Sequence, residues 1–311
     1  MTTAVLAMAY GTPSGPDDIL EFYTDVRRGR APSDEQLHDL ERRYLAIGGI
    51  SPLNERTRAQ ISGIQRALDR SAPGEFRVFF AAKHSVPKIE SQIAEIAAQG
   101  FTLVVGLVLA PHYSILSVGE YIERARLASA THHLASVFIE RWGDDEALIE
   151  ALGERLDEAT ETIGVNADNF EVVFSAHSLP TRILELGDPY PDELEETARL
   201  VAKRVGLRHY RTGWQSAGRT PEPWLGPDLL VLLGELRAEG FDGVLVCPAG
   251  FTSDHLEVLY DLDIEASQRA RELGLSFVRT RSLNDDERVA DLLARRVILA
   301  QTQLLGIEGP R

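Results

Sequence analysis

Between residues 254 and 265 the chain reads Asp254-His-Leu-Glu257-Val-Leu-Tyr-Asp261-Leu-Asp263-Ile-Glu265, five acids without a Lys or Arg. Glu257, Asp261 and Glu265 are spaced i, i+4, i+8. On an α-helix each four-residue step advances 400°, so the three carboxylates form one row drifting about 80°. Like charges at this spacing cost some helix stability, and a ladder of oxygen ligands suits a divalent cation. A solvated acidic face is the alternative reading. His177 follows the strand predicted at Glu171–Ala176. A neutral imidazole near pH 7 can take a proton and release it; a hydrogen-bonded structural histidine is the alternative. Tyr10, Trp214, Trp224 and Tyr121 lie in or beside polar loops, where a flat apolar ligand could use their rings or where they simply pack. Arg27, Arg28 and Arg30 fall within four residues, with Arg42 and Arg43 soon after. They offer either an anion site or a solvated surface run.

Several chemistries are excluded. There is no G-x-G-x-x-G, no G-x-x-x-x-G-K-[ST] and no H-E-x-x-H. Gly213-Trp-Gln-Ser216-Ala-Gly218 is one residue too long for a nucleophile elbow. The net charge of −16 argues against nucleic acid as a partner. The single cysteine, Cys247, allows neither an intramolecular disulfide nor an all-cysteine iron–sulfur cluster. It sits in the apolar run Val244–Pro248, which predicts a buried, inert thiol. The stretch Met1–Tyr10 lacks a basic flank, so no signal peptide is expected. No apolar run reaches the roughly 18 residues that span a bilayer, so stable membrane insertion is not expected either.

The elements that must carry these residues alternate along the chain. Strands are predicted at Ala4–Ala9, Arg77–Ala82, Leu103–Leu109, Val137–Ile139, Glu171–Ala176, Gly243–Val246 and Ser276–Arg279. Helices are predicted at Pro16–Arg28, Asp34–Ile47, Asn54–Arg70, Lys88–Gln99, Ser117–Ala130, Asp145–Glu161, Pro191–Val205, Pro227–Glu239, Ser253–Leu273 and Asp285–Leu305. Strands apolar throughout, alternating with helices, imply parallel sheets covered on both faces and an α/β fold. Two segments resemble each other: Phe76–Ile89, with His84-Ser85-Val-Pro87, and Phe170–Ile183, with His177-Ser178-Leu-Pro180. Gly100-Phe101 and Gly240-Phe241 open a second pair. We therefore expect two similar Rossmann-like domains, one formed by residues 1–110 plus 285–311 and the other by residues 111–284, with a ligand cleft between them at the carboxyl ends of the strands.

Six segments in order then resemble one family. They are Met8-Ala-Tyr10-Gly-Thr-Pro13, Arg27-Arg-Gly-Arg30, Tyr44-x-x-Ile-Gly-Gly-Ile-Ser51-Pro-Leu53, Ser175-Ala-His177-Ser-Leu-Pro180, Trp214-Gln-Ser216 with Pro223-Trp224-Leu-Gly226-Pro, and Gly250-Phe-x-x-Asp254-His-Leu-Glu257-x-Leu-Tyr260-Asp-x-Asp263-x-Glu265. Together they look like ferrochelatase over essentially the whole chain. The resemblance implies two Rossmann-like domains around a porphyrin cleft, with His177 and Glu257 as the catalytic pair. It implies metal contacts at His177, Glu257, Asp261 and Glu265, and porphyrin contacts at Tyr10, Arg27, Arg28, Arg30, Arg43, Ser51, Tyr121 and Ser216.

Tyrosine at position 10 is similar to the Gram-positive members that use coproporphyrin III, and there Tyr10 would be an axial iron ligand. The expected reaction is insertion of Fe²⁺ into coproporphyrin III to give coproheme, with release of two protons. Fe²⁺ is a substrate, no cofactor is tightly bound, and no [2Fe–2S] cluster is expected. A cytoplasmic monomer is expected, with a downstream coproheme-processing enzyme as a partner. The alternatives are a protoporphyrin IX ferrochelatase, a cobalt or nickel chelatase, or a non-catalytic tetrapyrrole carrier.

Overall fold

A computed structural model describes residues 2–164 and 169–306. Its contacts divide the chain into two units, Met1–Ala110 with Ser117–Arg141 and Asn284–Arg311, and Pro111–Leu116 with Trp142–Leu283.

Unit 1 is a four-stranded parallel sheet. Strand β1 (Thr3–Ala9) is buried at all seven positions, as its apolar run from Ala4 to Ala9 requires. It lies between β2 (Phe76–Ala82) and β3 (Leu103–Val108), and β4 (Ala135–Ile139) pairs outside β3, giving the order β2-β1-β3-β4. The helices are α1 (Ile19–Val26), α2 (Asp34–Ala46), α3 (Leu53–Ser71), α4 (Ile89–Ala98) and α5 (Val118–Thr131). Helix α2 starts on a capping box, in which Ser33 accepts from Gln36 N–H and Gln36 accepts from Ser33 N–H. Residues 16–18, expected to open the first helix, form a separate 3₁₀ turn ahead of α1. The last helix, α12 (Glu287–Leu304), packs on α3, and Gln301 Nε2 donates to Thr3 Oγ1 at 2.7 Å.

Unit 2 repeats the plan. Its sheet has the order β6-β5-β7-β8, from β5 (Phe170–His177), β6 (Arg211–Gln215), β7 (Gly243–Cys247) and β8 (Ser276–Arg279). Its helices are α6 (Glu146–Thr160), α7 (Arg182–Glu185), α8 (Tyr190–Val205), α9 (Leu229–Glu239), α10 (Leu256–Tyr260) and α11 (Ser267–Leu273). Cys247 is buried at the end of β7, where desolvation pushes its thiol up to about 12.

Four expectations are corrected. Residues 117–141, assigned to the second domain, belong to unit 1, because β4 must pair with β3 (Leu103↔Ala135 through Leu107↔Ile139) to complete that sheet. Strand β6 was not expected: Arg-Thr-Gly-Trp-Gln is short and lacks an apolar run. The single helix expected over Ser253–Leu273 is α10, a π-helical stretch over Asp261–Ala266, then α11. The duplication also has a different register. Matching the sheets strand by strand pairs β1 with β5 and β2 with β6, whereas the likeness of Phe76–Ile89 to Phe170–Ile183 pairs edge strand β2 with inner strand β5. The counterpart of His177 is thus the end of β1, where Tyr10 follows. The local likeness reflects a shared strand-to-loop chemistry, His-Ser-x-Pro, and not a shared place in the sheet.

Candidate active site

In unit 2 the functional side chains gather at the carboxyl ends of β5, β6 and β7, as expected for a parallel sheet. His177 is the last residue of β5 and is paired with Gln215 of β6. Its Nδ1–H donates to the Ser178 carbonyl. A carbonyl can only accept, so Nδ1 keeps its hydrogen and Nε2 is the atom that gains or loses a proton. That Nε2 lies 3.5 Å from Glu257 Oε1. His255 is arranged alike: Nδ1–H donates to Ser253 O at 2.9 Å, and Nε2 lies 3.5 Å from Glu257 Oε2. One carboxylate therefore sits between two imidazoles. At this distance charge couples them more than hydrogen-bond geometry does. The His177 and Glu257 side chains keep 34% of their surface exposed, enough to meet a ligand.

Backbone contacts lock the pair. Tyr190 Oη donates to the His177 carbonyl at 3.0 Å, and its ring packs on Trp214 at 5.5 Å. Gln215 Nε2 donates to the Glu257 carbonyl at 3.2 Å, while its Oε1 accepts from Ser175 at 2.9 Å. One side chain of β6 thus ties α10 to β5. Asp188 accepts from Ser114 Oγ, Ile115 N and Tyr190 N, which seats Tyr190. His255, Tyr190, Gln215 and Asp188 were not singled out from sequence. His255 and Gln215 stood inside quoted motifs, whereas nothing local marked the other two.

Charge decides the protonation state. Burial disfavours an imidazolium at His177, but the nearby charge of Glu257, the Ser178 carbonyl and the charge of Asp261 outweigh it and raise the ring to about 9. Burial likewise favours a neutral Glu257, yet His177 and His255 hold its carboxyl well below the ordinary range. The ligand-free pair is therefore imidazolium and carboxylate at neutral pH, not the neutral imidazole expected from the sequence.

The acidic row is only partly realised. Asp261 is buried at 7% exposure and accepts from Ser216 Oγ. Ser216 itself holds a left-handed backbone at φ 61°, a strained setting for a residue with a side chain. Glu265 is exposed, and Asp263 makes a bidentate pair with Arg279, at 2.5 and 2.8 Å. The π-helical stretch widens the turn beginning at Asp261, so Glu265 leaves the straight α-helical ladder expected of it.

In unit 1, Tyr10 follows β1 and is 42% exposed, with its ring 4.6 Å from His84. The two loops are pinned: His84 N–H donates to Tyr10 O at 3.0 Å, and a Cβ at Gly11, φ 87°, would come within 2.3 Å of Ser85 Oγ. Burial lowers His84 to about 4, against the pull of Asp25, which accepts from its Nδ1–H at 2.8 Å. Arg28 and Arg30 are exposed. The Arg27 and Arg30 side chains donate to each other's backbone carbonyls, whereas Arg28 pairs with Glu120. Arg43 pairs with Asp39 at 3.2 Å. Ser51 is 3% exposed and accepts from Leu53 N, and Tyr121 is 5% exposed beneath the Lys83 ammonium. Expected as porphyrin contacts, these last two are buried here.

The family model described as Ferrochelatase matches residues 2–300. A ferrochelatase of Thermus thermophilus is 45% identical over 300 residues, 91% of this chain and 94% of that protein. One of Herpetosiphon aurantiacus is 44% identical over 295 residues, covering 94% and 96%. A coproporphyrin III ferrochelatase of Bacillus subtilis is 41% identical over 298 residues, covering 94% and 96%. Among solved structures, the sirohydrochlorin chelatase SirB from Bacillus subtilis subspecies spizizenii, in complex with cobalt, aligns with a TM-score of 0.58 over 97% of both chains at 14% identity, which shows the fold alone. With a family match over nearly its whole length and relatives above 40% identity, this chain belongs to the ferrochelatase family.

Proposed function

We propose that the chain inserts Fe²⁺ into coproporphyrin III to give coproheme, a lyase reaction of haem biosynthesis, with His177 and Glu257 as its catalytic pair. The observation that carries the reading is the Glu257 carboxyl placed 3.5 Å from Nε2 of His177 and 3.5 Å from Nε2 of His255. Insertion breaks two pyrrole N–H bonds as iron gains the ring nitrogens, so the site must take up two protons and give up a cation. A protonated His177 cannot accept a proton or bind iron. Binding of Fe²⁺ at Glu257 and His177 displaces the Nε2 proton, since a metal takes only the deprotonated ligand. Transfer of iron to the ring frees Nε2 and the carboxylate, which take the two pyrrole protons and pass them to water. Asp261, buried and held by Ser216, adds negative charge beside His177, and the exposed Glu265 is the outer carboxylate that meets the arriving cation.

Tyr10, as a ligand to the inserted iron, and Arg27, Arg28, Arg30 and Arg43 are assigned to the porphyrin, together with Ser216; Ser51 and Tyr121, expected there too, are buried. Coproporphyrin III carries four propionates, which gives a basic cluster in an acidic protein a purpose. The coproporphyrin III ferrochelatases among the 41%-identical relatives support that substrate over protoporphyrin IX. The reading includes a cytoplasmic monomer without a tightly bound cofactor, passing coproheme to a downstream enzyme. Among the described residues no helix is long and apolar enough to cross a membrane.

The test is an anaerobic absorbance assay with Fe²⁺ and either porphyrin. Multiple turnovers with coproporphyrin III are expected. Preference for protoporphyrin IX would replace the substrate, and a single stoichiometric spectral shift would make the chain a carrier.

A further inference from the structure

Glu120, in the first turn of α5, divides its carboxylate between two cations of different kinds. Its Oε2 lies 2.6 Å from Lys83 Nζ, a side chain only 10% exposed that also sits 4.9 Å above the Tyr121 ring. Its Oε1 lies 3.1 Å from a terminal guanidinium nitrogen of Arg28, a side chain 76% exposed. The neighbouring charges are committed elsewhere. Arg124 makes a bidentate pair with Glu90, and Lys88 and His84 share Asp25. Arg28 itself is held at φ 57°, in the turn after α1.

The two pairs differ in how readily they part. Lys83 is mostly desolvated and would be left as an uncompensated buried charge, so that contact persists. The contact to Arg28 is an exposed ion pair, worth little and easily exchanged. We infer that Glu120 is a binding-site residue that tunes porphyrin affinity by standing in for a substrate carboxylate: it occupies Arg28 in the ligand-free protein and yields it to a porphyrin propionate, while remaining on Lys83. This rests on the reading that Arg28 meets a propionate. The exchange weakens binding of an anionic porphyrin and speeds its release, because Glu120 competes for the same guanidinium and repels the incoming carboxylate.

Porphyrin binding is measured by fluorescence titration with coproporphyrin III for wild type, Arg28→Ala, Glu120→Gln and the double variant. Glu120→Gln should bind about two- to fivefold more tightly, the scale of an exposed ion pair, and should release porphyrin more slowly. The gain should vanish in the Arg28→Ala background, which separates competition for Arg28 from a general loss of negative charge. If Glu120→Gln folds poorly, Lys83→Met with Glu120→Gln removes the stranded ammonium and should bind more tightly than Lys83→Met alone. Unchanged or weaker binding in Glu120→Gln, with Arg28→Ala still weaker than wild type, overturns the proposal and leaves the assignment of Arg28 standing. Unchanged binding in Arg28→Ala overturns that assignment and the proposal with it.

Discussion

The protonation state of His177 depends on one neighbour. Its Nδ1 is bound to a carbonyl that can only accept, so its Nε2 answers to Glu257 and, more weakly, to Asp261. Removing the Glu257 charge leaves burial as the largest influence, and burial disfavours the imidazolium. In metal-free wild-type protein the His177 ring should titrate near 9; in Glu257→Gln it should fall to or below the ordinary histidine range. An NMR pH titration of the imidazole resonances checks this, and a value still near 9 in the variant would show that Glu257 is not what holds the proton. The residue types at this site were legible in the sequence, since a histidine at a strand end and an acidic run announce proton and metal chemistry. Their state was not, because the two groups are 80 residues apart along the chain and become coupled only when the strands fold together.

At the scale of elements, the site depends on how closely the loop after β7 approaches β5. Gly250 N–H donates to Ser175 O at 3.0 Å. A Cβ at Gly250 would lie 2.4 Å from Ala176 Cβ and 2.9 Å from its Cα, so the obstacle includes backbone that cannot swing away. Gly250→Ala should therefore destabilise the protein by about 1–3 kcal/mol, the usual cost of overpacking, and displace α10 from His177. Denaturant unfolding would measure the first effect and loss of iron insertion the second; wild-type stability would mean the loop relaxes without cost. The glycine stood in a quoted motif, but its reason for being glycine is a contact between β5 and the β7 loop that no local pattern encodes. The π-helical stretch escapes local reading for a similar reason. Residues 253–273 carry no proline or interior glycine to signal a break, so continuous α-helix was the natural reading.

For the whole molecule, the last helix belongs with the first strand. Helix α12 closes over α3, where Ala290 lies 3.2 Å from the position of a Cβ at Gly63, and Arg70 pairs with Asp291 at 2.6 Å. Leu293 of α12 is 2% exposed. Leu293→Ala should cost about 2–5 kcal/mol, the lost transfer energy plus the cavity left behind, although it is remote in sequence from every proposed site residue. Thermal unfolding with circular dichroism would register the loss; a change within the error of the midpoint would mean that α12 contributes little to unit 1. The sequence suggested the return of the chain to its first domain, but it did not suggest that residues 117–141 return as well. A domain boundary follows strand pairing, and β4 joins β3 through backbone hydrogen bonds that carry little side-chain signature.

What the sequence determined by itself was the set of elements and the residue types at their ends. Buried strands such as β1 read apolar along Ala4–Ala9, some helices open on caps such as Ser33 and Asp145, and parallel sheets place loops such as His177–Pro180 on one edge. Those constraints act over a few residues and are written in composition and period. Tertiary structure alone decided that β1 and not β2 is the counterpart of β5, that Glu257 lies between two histidines, and that Arg28 rests on Glu120. Each of these is set by pairing, desolvation or charge between segments distant in sequence, and such forces have no value until the chain has brought the groups within a few ångströms.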